Sequence, residues 1–159
     1  MSRADLSSDA CTVARAVAVV GDQWTLLILR EMFLGTRRFD DFLRHTGMSS
    51  HLLSQRLKKL VALGVVRRSA YSERPVRHEY SLTEMGQDLW PIIVALKQWG
   101  DRWLHDGVAP VRIVHKGCEC FTHPKMTCSE CGEPMGARDA RAHLSRGFSA
   151  VRRSQTGQR

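Results

Sequence analysis

Apolar positions recur at helical spacing as far as Leu63, then alternate, and return to helical spacing from Leu89 onward. Residues 11–20 put Val13, Ala16, Val17 and Val20 on one face of a short helix, with Ser8 or Asp9 placed to cap it. Gly21 and Asp22 interrupt the pattern. Residues 24–33 are apolar nearly all round, which predicts a buried helix closed by Gly35. Residues 39–45 predict a third helix, with Asp40 and Asp41 in the first turn, where unpaired N–H groups favour negative charge. Gly47, Met48 and Ser49 make a tight turn, Ser49 or Ser50 caps a fourth helix, and Gly64 stops it after Leu63. Two short helices joined by a glycine-containing turn form a helix-turn-helix pattern.

The period changes next. Residues 65–71 and 77–82 are short, partly alternating runs rich in Val and Tyr, and predict a β-hairpin closed by a five-residue loop, 72–76. Ser81 or Thr83, with Glu84 completing an S-x-x-E box, then opens a long helix. Along it Leu89, Ile92, Leu96, Trp99 and Trp103 recur at steps of 3, 4, 3 and 4. Pro91 inside that pattern predicts either a kink or the first turn. After Asp106 and Gly107 the chain becomes dense in Cys, Gly, Pro and His. The expected organisation is a DNA-binding and dimerisation domain over 1–106, a Cys/His-rich module over 107–145 and a basic polar tail over 146–159.

Composition narrows the class. The chain has 159 residues, 43% hydrophobic and 25% charged, as a folded globular protein does. No apolar run approaches the roughly 20 residues that cross a bilayer, and residues 16–20 are too few for the apolar core of a signal peptide. The expectation is a cytoplasmic protein without a membrane partner, its five cysteines thiols or metal ligands rather than disulfides. Net charge is +8, and +5 of it falls within residues 51–80. A concentrated basic patch is the electrostatic footprint of a nucleic-acid binder.

Placing that charge on the elements gives candidate sites. On the fourth helix Leu53, Leu57 and Leu60 share one side, and Ser50, His51, Ser54, Gln55 and Lys58 supply the donors and acceptors that reading a major groove requires. Arg56 and Lys59 on the flank are expected to meet phosphate, and the hairpin with Arg67, Arg68, Arg74 and Arg77 follows as a wing that lies along the backbone or puts an arginine into a narrow minor groove. The stripe Leu89, Ile92, Leu96, Trp99 and Trp103 exceeds what so small a core needs and predicts a homodimer seam.

The tail carries His115-x2-Cys118-x-Cys120 and Cys128-x2-Cys131-Gly132. C-x2-C on a turn is a half-site for tetrahedral zinc, and the expected structural ion takes Cys118, Cys128, Cys131 and either His115 or Cys120. Idle thiols or a redox disulfide pair remain the other readings of these residues. Cys11, at the mouth of the first helix, is either a thiol sensitive to oxidants and electrophiles or a small buried hydrophobe. No catalytic constellation accompanies them. H-x-E is absent, and His78-Glu79 lacks the second histidine of H-E-x-x-H. The expectation is therefore no enzyme.

Residues 11–103, through "CTVARAVAVVGDQWTLLILREMFLGTRRFDDF", "SSHLLSQRLKKLVALGVVRR" and "RHEYSLTEMGQDLWPIIVALKQWG", resemble the HxlR-type winged helix-turn-helix transcriptional regulators, relatives of the MarR group. The resemblance implies a mainly α fold with a small β-hairpin wing, residues 50–63 as recognition helix and 72–76 as wing tip. It implies a dimeric bacterial repressor or activator on double-stranded DNA. In some members a cysteine placed like Cys11 senses oxidants or electrophiles. The paired-cysteine tail, a zinc-ribbon-like appendage, resembles that of a longer subset of the family. Glu119 stands where that subset tends to have glycine. The function expected is a homodimeric repressor on a pseudo-palindromic operator, responding to oxidants, electrophiles or a small ligand. The alternative is a redox or small-molecule sensor acting through protein contacts with weak DNA binding.

Overall fold

The computed structural model describes Leu6 and residues 9–156; Ser8, one of the two expected caps, lies outside them. The chain divides into two compact units, Met1–Ala95 and Leu96–Arg159. The first holds α1 (Thr12–Val20), α2 (Gln23–Phe33), α3 (Phe39–Thr46), α4 (Ser50–Ala62), β1 (Val66–Glu73), β2 (Val76–Leu82) and α5 (Glu84–Gln87). Helix α6 (Trp90–Trp103) runs through the division, and β3 (Ile113–His115), β4 (Cys120–Thr122) and α7 (Arg146–Thr156) follow. Among the described residues no single helix is long and apolar enough to cross a membrane.

Local chemistry sets the helix ends. Asp9 accepts from the backbone N–H of Cys11 at 2.7 Å, and Cys11 itself occupies the N-cap of α1 without a side-chain bond. Asp22 caps α2, accepting from the backbone of Thr25 at 3.2 Å and from its hydroxyl at 2.5 Å. Gly47, at φ 68°, adopts the left-handed conformation that ends α3, and the Ser49 hydroxyl accepts from Leu52 N–H at 3.3 Å to begin α4. The three-residue turn thus forms as its sequence predicts.

One core serves α2, α3, α4 and the base of the hairpin. Ile28, Leu29, Phe42, Leu53, Leu57, Leu60, Val65 and Val66 are essentially inaccessible to solvent. Each such side chain contributes about 1.5–3 kcal/mol through its burial. Helix α1 departs from its predicted face: Val13, Ala16 and Val17 are exposed, while Ala18 and Val20 turn inward. Val20 joins the core and Val19 packs against it, whereas Val13 and Val17 stay open to solvent. A buried carboxylate locks α2 to α3. Glu31 accepts from Arg30 Nε and Nη2 at 3.0 and 2.7 Å through one oxygen, and meets Thr36 Oγ1 at 3.1 Å and His45 Nδ1 at 3.0 Å through the other.

The hairpin pairs antiparallel from Val66↔Leu82 to Glu73↔Val76, so only Arg74 and Pro75 form the turn, not the five residues expected. A register shift between Ala70 and Ser72 absorbs the odd residue at Tyr71, which lets the ladder continue to the tip. There the Ser72 hydroxyl donates to the Pro75 carbonyl at 2.9 Å. Beyond the hairpin Thr83, not Ser81, is the cap, accepting from Gly86 N–H at 3.2 Å. The expected box does not form, because Glu84 is already the first helical residue. The predicted long helix breaks at Asp88 and Leu89, and Pro91 falls in the first turn of α6, where a missing N–H costs nothing.

In the second unit β3 and β4 pair as Ile113↔Thr122, Val114↔Phe121 and His115↔Cys120. A further antiparallel bridge joins Thr127 to Pro134. No described residue after Val94 is buried.

Candidate nucleic-acid interface

Helix α4 has two unlike sides. Leu53, Leu57 and Leu60 anchor it in the core, and Ser50, His51, Ser54, Gln55 and Lys58 are all exposed opposite them. Gln55 Nε2 and His51 Nε2, one turn apart, lie 2.9 Å from each other. An amide and an imidazole on an outward face present both donors and acceptors, and a helix about 10–12 Å across fits a major groove about 12 Å wide.

The two flanking cations are not where the sequence expectation put them. Lys59 Nζ donates to the Ala18 carbonyl at 2.8 Å, at the C-terminal end of α1, where a helix carries partial negative charge. Arg56 Nε lies 3.2 Å from Asp22 Oδ1 with its side chain 21% exposed, an ion pair without hydrogen-bond alignment. Both contacts tie α4 to the preceding helices. The cause is rotational. On a helix the flank of a polar face is also the flank of a buried one, and the spacing of residues does not say which neighbour fills it.

The wing keeps its charge outward. Arg67, Arg68, Arg74 and Arg77 are exposed, with Arg74 in the turn itself and Arg68 Nη2 2.9 Å from His78 Nδ1. The structure adds two residues missing from the sequence reading. Arg37 and Arg38 are exposed just before α3, and Tyr80 N–H, donating to the Arg37 carbonyl at 2.9 Å, pins their segment against β2. The Arg38 guanidinium stands 4.9 Å from the centre of the Tyr71 ring, in a cleft shared with Arg44, Arg77 and His78. Their signal was present as adjacent arginines ahead of a helix start.

The predicted seam residues separate into two groups. Leu89 is half-buried and packs on the core of the first unit. Ile92, Leu96, Trp99 and Trp103 are exposed, the two tryptophans by 56% and 63%. Cys11 is half-buried.

The five cysteines are free thiols. His115 Nδ1 lies 3.3 Å from Cys118 Sγ, whereas Cys120 Sγ donates to the Cys118 carbonyl at 3.2 Å. The backbone N–H of Cys131, then that of Glu130, and the Cys131 side chain hold the Cys128 thiol below its ordinary range, against a small opposing effect of burial. The donors expected to form one four-ligand set are not gathered: among the described residues no three His, Cys, Asp or Glu side chains converge on a metal position.

Comparison with known proteins places this geometry. The profile of the HxlR-like helix-turn-helix family matches residues 19–107. An HTH-type transcriptional regulator of Mycobacterium tuberculosis is 45% identical over 140 residues, covering 87% of this chain and 89% of that protein. The crystal structure of PA1607 is 33% identical with a TM-score of 0.77 and covers 89% of this chain and 99% of its own. The redox regulator HypR in its oxidized form is 34% identical with a TM-score of 0.55, covering 62% of this chain and all of that one.

Proposed function

The chain belongs to the HxlR-like helix-turn-helix family of transcriptional regulators, and from that premise we propose that it represses transcription as a homodimer on a pseudo-palindromic operator. The observation that carries this reading is the outward face of α4, polar along its length and exposed, with a cationic wing behind it. Ser50, His51, Ser54 and Gln55 read base edges, while Lys58, Arg74 and Arg77 hold phosphate. A single module reads one groove segment, and two-fold pairing of modules doubles the contact. The exposed stripe of α6 supports a second copy as the partner, because exposed apolar side chains gathered on one helix face mark an interaction surface. The signal is an oxidant or electrophile acting at Cys11, a reading supported by the likeness to a redox regulator.

Titrating random duplex at several salt concentrations tests the phosphate assignments. Lys58→Ala should weaken binding to all sequences and lower the salt slope by about one ion. Lys59→Ala should leave the slope unchanged and instead cost about 1 kcal/mol of stability through its lost bond to Ala18. The reverse pattern would put α4 in a different orientation on DNA. Repeating the titration after a mild oxidant should release wild-type protein and spare Cys11→Ser; equal behaviour of the two would remove Cys11 as the sensor.

A further inference from the structure

The second unit contains two turns of the same build. In the first, Glu119 N–H donates to the His115 carbonyl at 2.8 Å, His115 pairs with Cys120, and Glu119 takes a left-handed φ of 53°. In the second, Gly132 N–H donates to the Cys128 carbonyl at 2.9 Å, Cys128 N–H donates to the Glu133 carbonyl at 2.9 Å, and Gly132 has φ 74°. Each turn therefore runs donor residue, two spacers, donor residue, left-handed residue, pairing residue. That Glu119 repeats the conformation of Gly132, which few non-glycine residues adopt, shows the turn geometry overriding local preference.

This build brings the two donor side chains of each turn together. His115 Nδ1 and Cys118 Sγ are 3.3 Å apart, and the backbone bond from Gly132 to Cys128 gives Cys128 and Cys131 the same placement about the second turn. Gly117 makes room for the imidazole over the first turn, since a Cβ there would stand 2.9 Å from His115 Cε1. Cys120 is turned away, its thiol bonded to the Cys118 carbonyl at 3.2 Å. We propose that His115, Cys118, Cys128 and Cys131 are the four ligands of a structural Zn2+ ion, with Cys120 outside the set.

Three thiolates and an imidazole are a regular donor set for closed, tetrahedral zinc. Each thiol gives up its proton to solvent as its sulfur bonds the metal. Beyond the β3–β4 ladder, the Arg112 guanidinium over the Phe121 ring and the bond from Gln98 to the Pro124 carbonyl, the unit has little to hold it. No described residue after Val94 is buried, and Phe121 and Met126 are exposed by 59% and 71%, so apolar burial does not close it. The two turns are preformed as pairs of donors but not joined, and the ion supplies the joint: its binding free energy becomes folding free energy of the unit.

The test uses the full chain made without a histidine tag and kept reduced. Zn2+ is titrated against a competing chelator, with elemental analysis and native mass spectrometry as readouts. Stoichiometric zinc is expected, retained in Cys120→Ser and lost in His115→Ala and Cys131→Ser. Because His115→Ala could fail for loss of the turn alone, His115→Cys serves as the second variant. It should bind the ion again and, loaded with Co2+, show stronger sulfur-to-metal charge-transfer absorption than wild type. Absence of zinc uptake, a mass lower by two hydrogens with no metal, or a site that survives His115→Ala but not Cys120→Ser would each overturn the assignment.

Discussion

Trp99→Asp is expected to yield a folded monomer. Trp99 is 56% exposed in the single chain, so the substitution removes little that holds that chain together. In the proposed dimer the same position lies in an apolar seam. Loss of a tryptophan anchor there costs about 2 kcal/mol or more, and an unpaired carboxylate in the seam adds several more. A total above about 4 kcal/mol weakens association by roughly a thousandfold or more. Sedimentation should report a monomer while the helical circular dichroism signal stays at its wild-type value. A dimer of unchanged affinity would move the seam to α1, whose Val13 and Val17 are exposed by 68% and 45%.

Phe42→Ala should have the largest effect on the fold. Phe42, wholly inaccessible on α3, belongs to the core shared by α2, α4 and the base of the hairpin. Removing a buried phenylalanine side chain costs about 3–5 kcal/mol, from lost transfer energy plus the cavity left behind. Against a usual domain stability of about 5–15 kcal/mol, that is a large share. Urea unfolding should show a lower midpoint with a slope close to wild type. Leu34→Ala, at a position 53% exposed, is the control and should change stability by about 0.5 kcal/mol or less. Similar losses in the two variants would mean that the core is not centred on α3.

The elements that set the fold announce themselves locally. Gly47, Ser49 and the leucines of α4 determine a turn, a cap and a buried face through neighbours within one or two helical turns, and such signals survive in any linear reading. The departures are all long-range. Whether Lys59 meets phosphate or the Ala18 carbonyl depends on a helix 41 positions earlier in the chain. Glu31 shows no pattern as an isolated acid between Arg30 and Met32, and acquires its role only when His45 arrives 14 residues later. On α1 the spacing of valines is helical, but burial depends on where α2 turns after Gly21, which periodicity does not encode. The wing was legible as a hairpin, although the bulge at Tyr71 that shortens its turn is a pairing property of two strands. Of the reading surface, the outward residues of α4 were legible because their leucine partners fix the helix rotation; Arg37 and Arg38 were not, because only the bond to Tyr80 shows which element they join.

In the proposed complex the outward face of α4 reads DNA bases. Selection of bound sites from a random duplex pool, run in parallel with wild-type protein and Gln55→Ala, tests it most directly. Wild type should recover an inverted repeat whose half-sites lie about one helical turn apart, roughly 34–36 Å, or a multiple of that. Gln55→Ala should recover the same repeat with one position in each half-site relaxed, at a cost of about 1–3 kcal/mol on the wild-type site. Identical sites bound with identical affinity by both proteins would contradict the claim.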